Sequence, residues 1–230
     1  MKKYKIKDLG DLTWFLGICV ICDRENKKLW LSQDFYINKI ALSFKVKNYC
    51  KVHTPIAIDE LKPNPEQASK QDIYMYQRKV GFILYAANIT WLDVAKAASK
   101  LSEFSQNPLP IYNAAATRAI AYLYQIKTFA IKYLNENLKN YIFARASDAA
   151  FGDNSVSKKS TEGYLFTLYR GPIDWWSTKQ KFVIKLSTEA KLLALLYAAT
   201  ESIWWQWFFK EVAFNAKKKQ VIYCNNLQTI

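Results

Sequence analysis

The chain has 230 residues, enough for one large domain or two small ones, and 51% of them are hydrophobic, which excludes general disorder. Lys and Arg outnumber Asp and Glu 33 to 19, giving a net charge of +14 and a pI of about 9.5. Such a balance predicts an acidic partner, most simply a phosphate backbone. A lysine-rich, A/T-biased genome would produce the same balance by coding Lys wherever a solvated residue serves. Lys far outnumbers Arg, which argues against bidentate reading of bases. Met1-Lys2-Lys3 opens a charged stretch, not an apolar leader. The most apolar region, Leu192 to Phe209, is interrupted by Glu201 and Gln206 and flanked by Lys191 and Lys210. It suits a buried amphipathic helix better than a membrane span. The expectation is an intracellular protein, cytoplasmic or nuclear, neither secreted nor membrane-bound.

In chain order, Leu12 to Cys22 predicts a strand, Glu25-Asn26-Lys27 a turn, and Lys28 to Leu31 a second strand. Ser32 can cap a helix to about Phe44, with Tyr36, Ile40 and Phe44 on one face. Cys19-x-x-Cys22 and Cys50-x-x-His53 have zinc-like spacing. Against zinc, Cys19 and Cys22 fall in a strand, where residues three apart face opposite sides. Thiols without a disulfide pattern fit a reducing compartment. Ile58 to Lys70 is polar, contains prolines and predicts a linker. Asp72 to Ser105 and Tyr112 to Ile126 predict two or three helices, split by Asn107-Pro108-Leu109-Pro110. From residue 140 the order is a strand over Tyr141 to Ser147, then a hairpin of Gly163 to Tyr169 and Pro172 to Ser177 turning at Arg170-Gly171. A helix from Ser187 to about Lys210, a loop at Lys217-Lys218-Lys219 and a strand from Gln220 to Cys224 follow. No internal repeat is evident. The fold class predicted is α+β, ending in an α/β unit with a mixed sheet.

Three short segments carry a resemblance. Arg145-Ala146-Ser147-Asp148-Ala149 ends the first strand of the last unit. Ser187-Thr188-Glu189-Ala190-Lys191 starts its helix, and Ile222-Tyr223-Cys224-Asn225-Asn226 ends its last strand. Together they resemble the ribonuclease H domain of Copia-type LTR retrotransposon polyproteins, which typically has Ser-Asp-Ala, Ser-Thr-Glu-Ala-Glu and Cys-Asp-Asn. Lys191 stands here for the second Glu of the middle motif, and Asn225 for the Asp of the third. The resemblance extends upstream in order, through Phe15-Leu16-Gly17-Ile18, Leu31-Ser32-Gln33, Tyr76-Gln77, Asp93-Val94-Ala95 and Asn107-Pro108. It continues through Lys159-Ser160-Thr161-Glu162-Gly163-Tyr164 and Ile173-Asp174-Trp175.

The resemblance implies three segments. Residues 1–57 would be the end of the reverse transcriptase palm, with a hairpin near the primer end, and 58–139 a helical thumb or connection region. Residues 140–230 would be a ribonuclease H-like domain, truncated at its C-terminus. The paired polymerase aspartates would fall before Met1, and a fourth acidic nuclease residue beyond Ile230. The family's activities are RNA-directed DNA polymerisation and cleavage of RNA in RNA–DNA hybrids. The nuclease uses two Mg²⁺ or Mn²⁺ ions about 3.5–4 Å apart, held by several carboxylates.

Asp148 is then the surviving metal ligand, with Lys191 and Asn225 in degraded catalytic positions and no tight metal binding expected. Glu189 is two residues from Lys191, so it points about 200° away on a helix and instead complements the helix dipole. Asp153 reads as a turn residue. Lys158, Lys159, Lys179 and Lys181 are the candidates for meeting a duplex backbone. Of Trp175 and Trp176, which face opposite sides of a strand, one is expected in the core and the other exposed. Thr90-Trp91-Leu92-Asp93, where the family has Thr-Arg-Pro-Asp, and Gln206-Trp207, where a basic pair is common, suggest relaxed constraint. The first reading is an inactive relic. The second is a repurposed module binding RNA–DNA hybrid or duplex without sequence preference. The third is a surviving metal-dependent ribonuclease H. A retroelement polymerase is a candidate partner, and the oligomeric state stays open.

Overall fold

The computed structural model describes residues 7–8, 10–57, 62–134, 142–154, 157–216 and 221–225. Tyr141, the Lys217-Lys218-Lys219 loop and Gln220, all assigned from sequence, lie outside them. The described chain is α+β, with five α-helices and two four-stranded sheets.

The first sheet has the order β1-β2-β3-β4, with β1 at Trp14–Phe15, β2 at Ile18–Asp23, β3 at Lys28–Ser32 and β4 at Ile131–Leu134. All its pairings are antiparallel. The single strand expected over Leu12 to Cys22 is instead a tight hairpin. Phe15 pairs with Ile18, and both loop residues, Leu16 and Gly17, have positive φ. That conformation matches the twist of a two-residue hairpin. The turn before β3 is closed by Asp23, whose carboxylate accepts from the backbone N–H of Asn26 at 2.9 Å and from its side chain at 2.8 Å. β4 joins from the far side of the helical region, about a hundred residues after β3.

Four helices pack on one another: α1 (Asp34–Ser43), α2 (Lys70–Ile89), α3 (Ala95–Ser102) and α4 (Pro110–Ile126), with a 3₁₀ turn at Leu92–Val94 before α3, which also meets a strand of the second sheet described below. Ser32 is not the cap of α1. Gln33 takes that position, and the Ser32 hydroxyl accepts the Asp34 N–H at 3.3 Å. Ser69 does cap α2, accepting from the Asp72 N–H at 3.1 Å. Pro110 opens α4, where its missing N–H costs nothing. The core centres on Ile37, Ile83, Leu101, Tyr112 and Ile120, each at most 1% exposed. Burying each aliphatic side chain contributes about 1.5–3 kcal/mol. The expected linker is pinned in its described part. Ala68 donates its N–H to Asn107 Oδ1 at 2.8 Å, and Asn64 Nδ2 donates to the Pro108 carbonyl at 3.1 Å.

The second sheet has the order β7-β6-β5-β8, with β5 at Phe143–Ala150, β6 at Thr161–Leu168, β7 at Gly171–Lys179 and β8 at Ile222–Cys224. β5 and β8 are parallel, so the sheet is mixed. The β6–β7 turn falls one residue earlier than expected, at Tyr169-Arg170, both with positive φ. Gly171 pairs with Leu168 as the first residue of β7, and a Cβ there would sit 2.4 Å from the Tyr133 ring of β4. Alternate residues of β5 (Phe143, Arg145, Ser147, Ala149) are buried. They face α5 (Ser187–Glu211), which presents Ala190, Ala194, Ala198 and Ser202 at four-residue spacing. These small side chains let the helix lie close to the strand.

The two halves are clasped together. Trp175 Nε1 donates to the Ala87 carbonyl at 2.7 Å, and the Tyr133 hydroxyl donates to the Pro172 carbonyl at 2.7 Å. Lys96 pairs with Asp153 at 3.2 Å, and Lys179 with Glu103.

Candidate functional site

Asp148 lies near the end of β5, with its side chain 61% exposed. The parallel register sets Ser147 beside Cys224, so Asn225 emerges next to Asp148. Lys191 stands at the fifth position of α5 and reaches the same point. Its ammonium is 3.6 Å from Asp148 Oδ1 and donates to Asn225 Oδ1 at 2.6 Å. Asn225 Nδ2 donates to Asp148 Oδ2 at 3.3 Å. The three side chains singled out from sequence therefore meet in one closed triangle, joining β5, β8 and α5.

This donor set does not fit a divalent ion. It offers one carboxylate and one amide oxygen, and a fixed positive charge already holds both. Mg²⁺ and Mn²⁺ favour several hard, negative oxygens. Among the described residues, no group of three or more His, Cys, Asp or Glu could hold a metal ion. Glu189 is exposed in the first turn of α5. Asp153 is more than a turn residue: it accepts from the Thr161 hydroxyl at 2.7 Å and pairs with Lys96 across the clasp. Cys19 and Cys22 sit three residues apart on β2, and all four cysteines are free thiols.

Asp148 also borders a cleft of about 340 Å³ between α3 and the second sheet, lined by Lys96, Glu162, Tyr164 and Ser177 among others. Burial, followed by the charge of Asp174, pushes the Tyr164 hydroxyl far up. It therefore stays a neutral donor, and it gives its hydrogen bond to Asp174 Oδ1 at 3.1 Å. Lys96 was not legible as part of this neighbourhood, because α3 is some fifty residues away in sequence.

The four candidate backbone-binding lysines separate into two kinds. Lys158 and Lys181 are exposed, and Lys159 is half-buried in the β5–β6 loop. Lys179 is tied to Glu103 of the helical half. Neither tryptophan of β7 is a free stacking platform. Trp175 docks on α2, and Trp176 stacks on Tyr197 of α5 with ring centroids 4.6 Å apart. No described helix is long and apolar enough to cross a membrane.

No family model and no solved structure matches the chain. Similar proteins do exist. The chain is 31% identical, along its whole length, to the retrovirus-related Pol polyprotein from transposon TNT 1-94 of Nicotiana tabacum, and spans 17% of that polyprotein. It is 34% identical to the transposon Ty5-1 protein of Saccharomyces cerevisiae, over 84% of this chain and 62% of that protein. It is also 34% identical to the secreted RxLR effector protein 161 of Plasmopara viticola, over 56% of this chain and 89% of that protein. The ordered motifs and these relatives agree, and the chain belongs to the Copia-type retrotransposon Pol polyproteins.

Proposed function

We propose that this is the nuclease-bearing segment of a Copia-type Pol polyprotein in which metal-dependent cleavage of RNA–DNA hybrids has been lost. In this reading residues 140–230 are the ribonuclease H-like domain, 58–139 the helical thumb or connection region, and 1–57 the end of the polymerase palm. The mixed sheet supports the assignment, because its central strand, its parallel neighbour and the helix between them in sequence carry the three nuclease motifs. One observation carries the loss of activity: the Lys191 ammonium lies 3.6 Å from Asp148 and 2.6 Å from Asn225. Hydrolysis in this family needs two cations to activate water and to stabilise the leaving oxygen. The ammonium neutralises the Asp148 carboxylate but can neither ionise a water nor coordinate the scissile phosphate. Restoring a ligand at this position alone leaves Asn225 without charge.

The test is cleavage of an end-labelled RNA–DNA hybrid by the purified chain, with Mg²⁺ and with Mn²⁺. The expected result is no RNA cutting above that of the Asp148→Ala variant. Cutting by the unmodified chain that the variant lacks would overturn the reading. A second role, binding hybrid or duplex without cutting it, is favoured by the exposure of Lys158 and Lys181 beside the Asp148 region. Its signature is affinity that falls steeply with salt through counterion release.

A further inference from the structure

The contacts between the helical half and β7 change character along the strand. At its start they are made by rings: the Tyr133 ring covers Gly171, and the Trp175 indole docks on the Ala87 carbonyl. At its end they are ionic. Lys96 and Glu103 stand two turns apart, so they share one side of α3. Lys96 pairs with Asp153 of the β5–β6 loop, and Glu103 with Lys179. The signs are crossed: α3 offers positive then negative, and the sheet answers with negative then positive. The seam between them encloses a gap of about 10 Å³, barely the size for one water, and the nine residues lining it are all polar or charged. Beside the seam lies the cleft of about 340 Å³ that Asp148 borders. The register sets Asp148, Gly163 and Ser177 in one row across the sheet, and Ala150, Thr161 and Lys179 in the next. Lys96 and Ser177 line both cleft and seam, so α3 roofs the inner end of the first row.

We propose that α3 is an ion-paired latch, which closes the helical half over the Asp148–Gly163–Ser177 row and opens when its two pairs are broken. The pivot is the ring-packed start of β7, where Gly171 lies about 26 Å from Lys179 along the strand. Closed, the cleft has the volume of a small-molecule site and keeps a duplex or a protein away from Ser177. Open, the row is one continuous surface. The chemistry of the seam is what allows this. Parting an apolar seam exposes its area to water, whereas parted charges are rehydrated. The four paired side chains are 20–52% exposed, so salt screens them. The latch governs access and is independent of whether the Asp148 site cuts RNA.

Thiol labelling of the full chain carrying Ser177→Cys tests it. The reagent is a fluorescein maleimide, too bulky for the closed cleft, and the rate at each cysteine is read by peptide mass spectrometry. Raising salt to about 1 M, where the screening length falls to ~3 Å, should speed labelling at position 177. The expected rise is about two- to thirtyfold, the range that two partly exposed pairs span. Cys224, half-buried on β8 of the same sheet, reports global unfolding and should keep its rate. N-ethylmaleimide, small enough for the closed cleft, should react at much the same rate throughout, which separates access from thiol reactivity. At low salt Lys179→Glu sets two carboxylates together and should open the latch. Adding Glu103→Lys should close it again. A rate at position 177 indifferent to salt and to Lys179→Glu overturns the proposal. So does a rise shared by Cys224 or by N-ethylmaleimide, or a swapped pair that stays open.

Discussion

Replacing Lys191 with Glu separates a site that has lost its metal from one that merely lacks it. In the chain as it stands, the ammonium 3.6 Å from Asp148 occupies the place where a cation would neutralise the carboxylate. Lys191→Glu exchanges an attraction for a repulsion. Two unit charges about 4 Å apart interact by ~4 kcal/mol at an effective dielectric of 20. Asp148 is 61% exposed, so the scale for solvent-screened pairs, ~0.2–1 kcal/mol, applies instead. Losing one such term and gaining its opposite costs about 0.5–2 kcal/mol, and the hydrogen bond to Asn225 goes with it. In a chain of this size each kcal/mol shifts the melting temperature by about 2–4 °C. Lys191→Glu should therefore melt about 1–8 °C lower in EDTA. Mn²⁺ at a hundred times its dissociation constant would return about 2.7 kcal/mol and reverse the loss. Lys191→Met should melt lower too, without any response to Mn²⁺. The assay is thermal melting by circular dichroism, with EDTA or MnCl₂. If Mn²⁺ stabilises the unmodified chain and Asp148→Ala removes that effect, the ammonium does not hold the cation position, and the reasoning fails.

Three further outcomes are expected. In hybrid binding measured against salt, Lys158→Ala and Lys181→Ala should each reduce the log–log slope by about 0.9, while Lys179→Ala, whose partner is Glu103, should leave it unchanged. Gly171→Ala should cost about 1–3 kcal/mol in denaturant unfolding, because the added carbon would lie 2.4 Å from the Tyr133 ring and 2.9 Å from the Lys132 carbonyl. Gly81→Ala, in mid-helix with nothing within 4 Å, should stabilise instead. The Asp23 carboxyl is held below its ordinary 3.8, first by the Asn26 backbone N–H and then by the Asn26 side chain. Its folded pKa is depressed, so the stability it lends the β2–β3 turn is present above 3.8 and is lost as pH falls through the folded value. Asn26→Ala should move its NMR titration part of the way back up.

Local pattern carried the helices and most strands, because apolar spacing and the break at Asn107-Pro108-Leu109-Pro110 act within a few residues. The ordered motifs brought Asp148, Lys191 and Asn225 to one place, because strand, helix and parallel strand leave few ways to connect them. What escaped the sequence is non-local. β4 is four residues long, and its partner β3 lies about a hundred positions earlier. The turns at Leu16-Gly17 and Tyr169-Arg170 lack the usual Asn-Gly or Asp-Gly signal, and Gly171, beside the second turn, answers to a tyrosine on another sheet. Lys179 has the charge of a phosphate contact, but Glu103, 76 residues away, holds it. Trp175 faces a carbonyl of α2 rather than solvent. Charge and aromaticity can be read from the chain, but availability depends on the fold around them.

The coherence of the triangle has a physical reason. A cluster of carboxylates is self-repelling, and a cation is what makes it compact. Here Lys191 supplies the cation, and Asn225 is an amide that both accepts and donates. The site thus coheres through two hydrogen bonds and an ion pair. The surrounding packing does not depend on it: α5 is held to β5 by its Ala190, Ala194, Ala198 and Ser202 ridge, and farther along by the Phe143, Phe166 and Phe209 cluster. Fold and chemistry are decoupled at this position. Substitutions within the triangle should therefore leave the sheet and helix in place, together with the cleft beside Lys96 and the lysines of the β5–β6 loop.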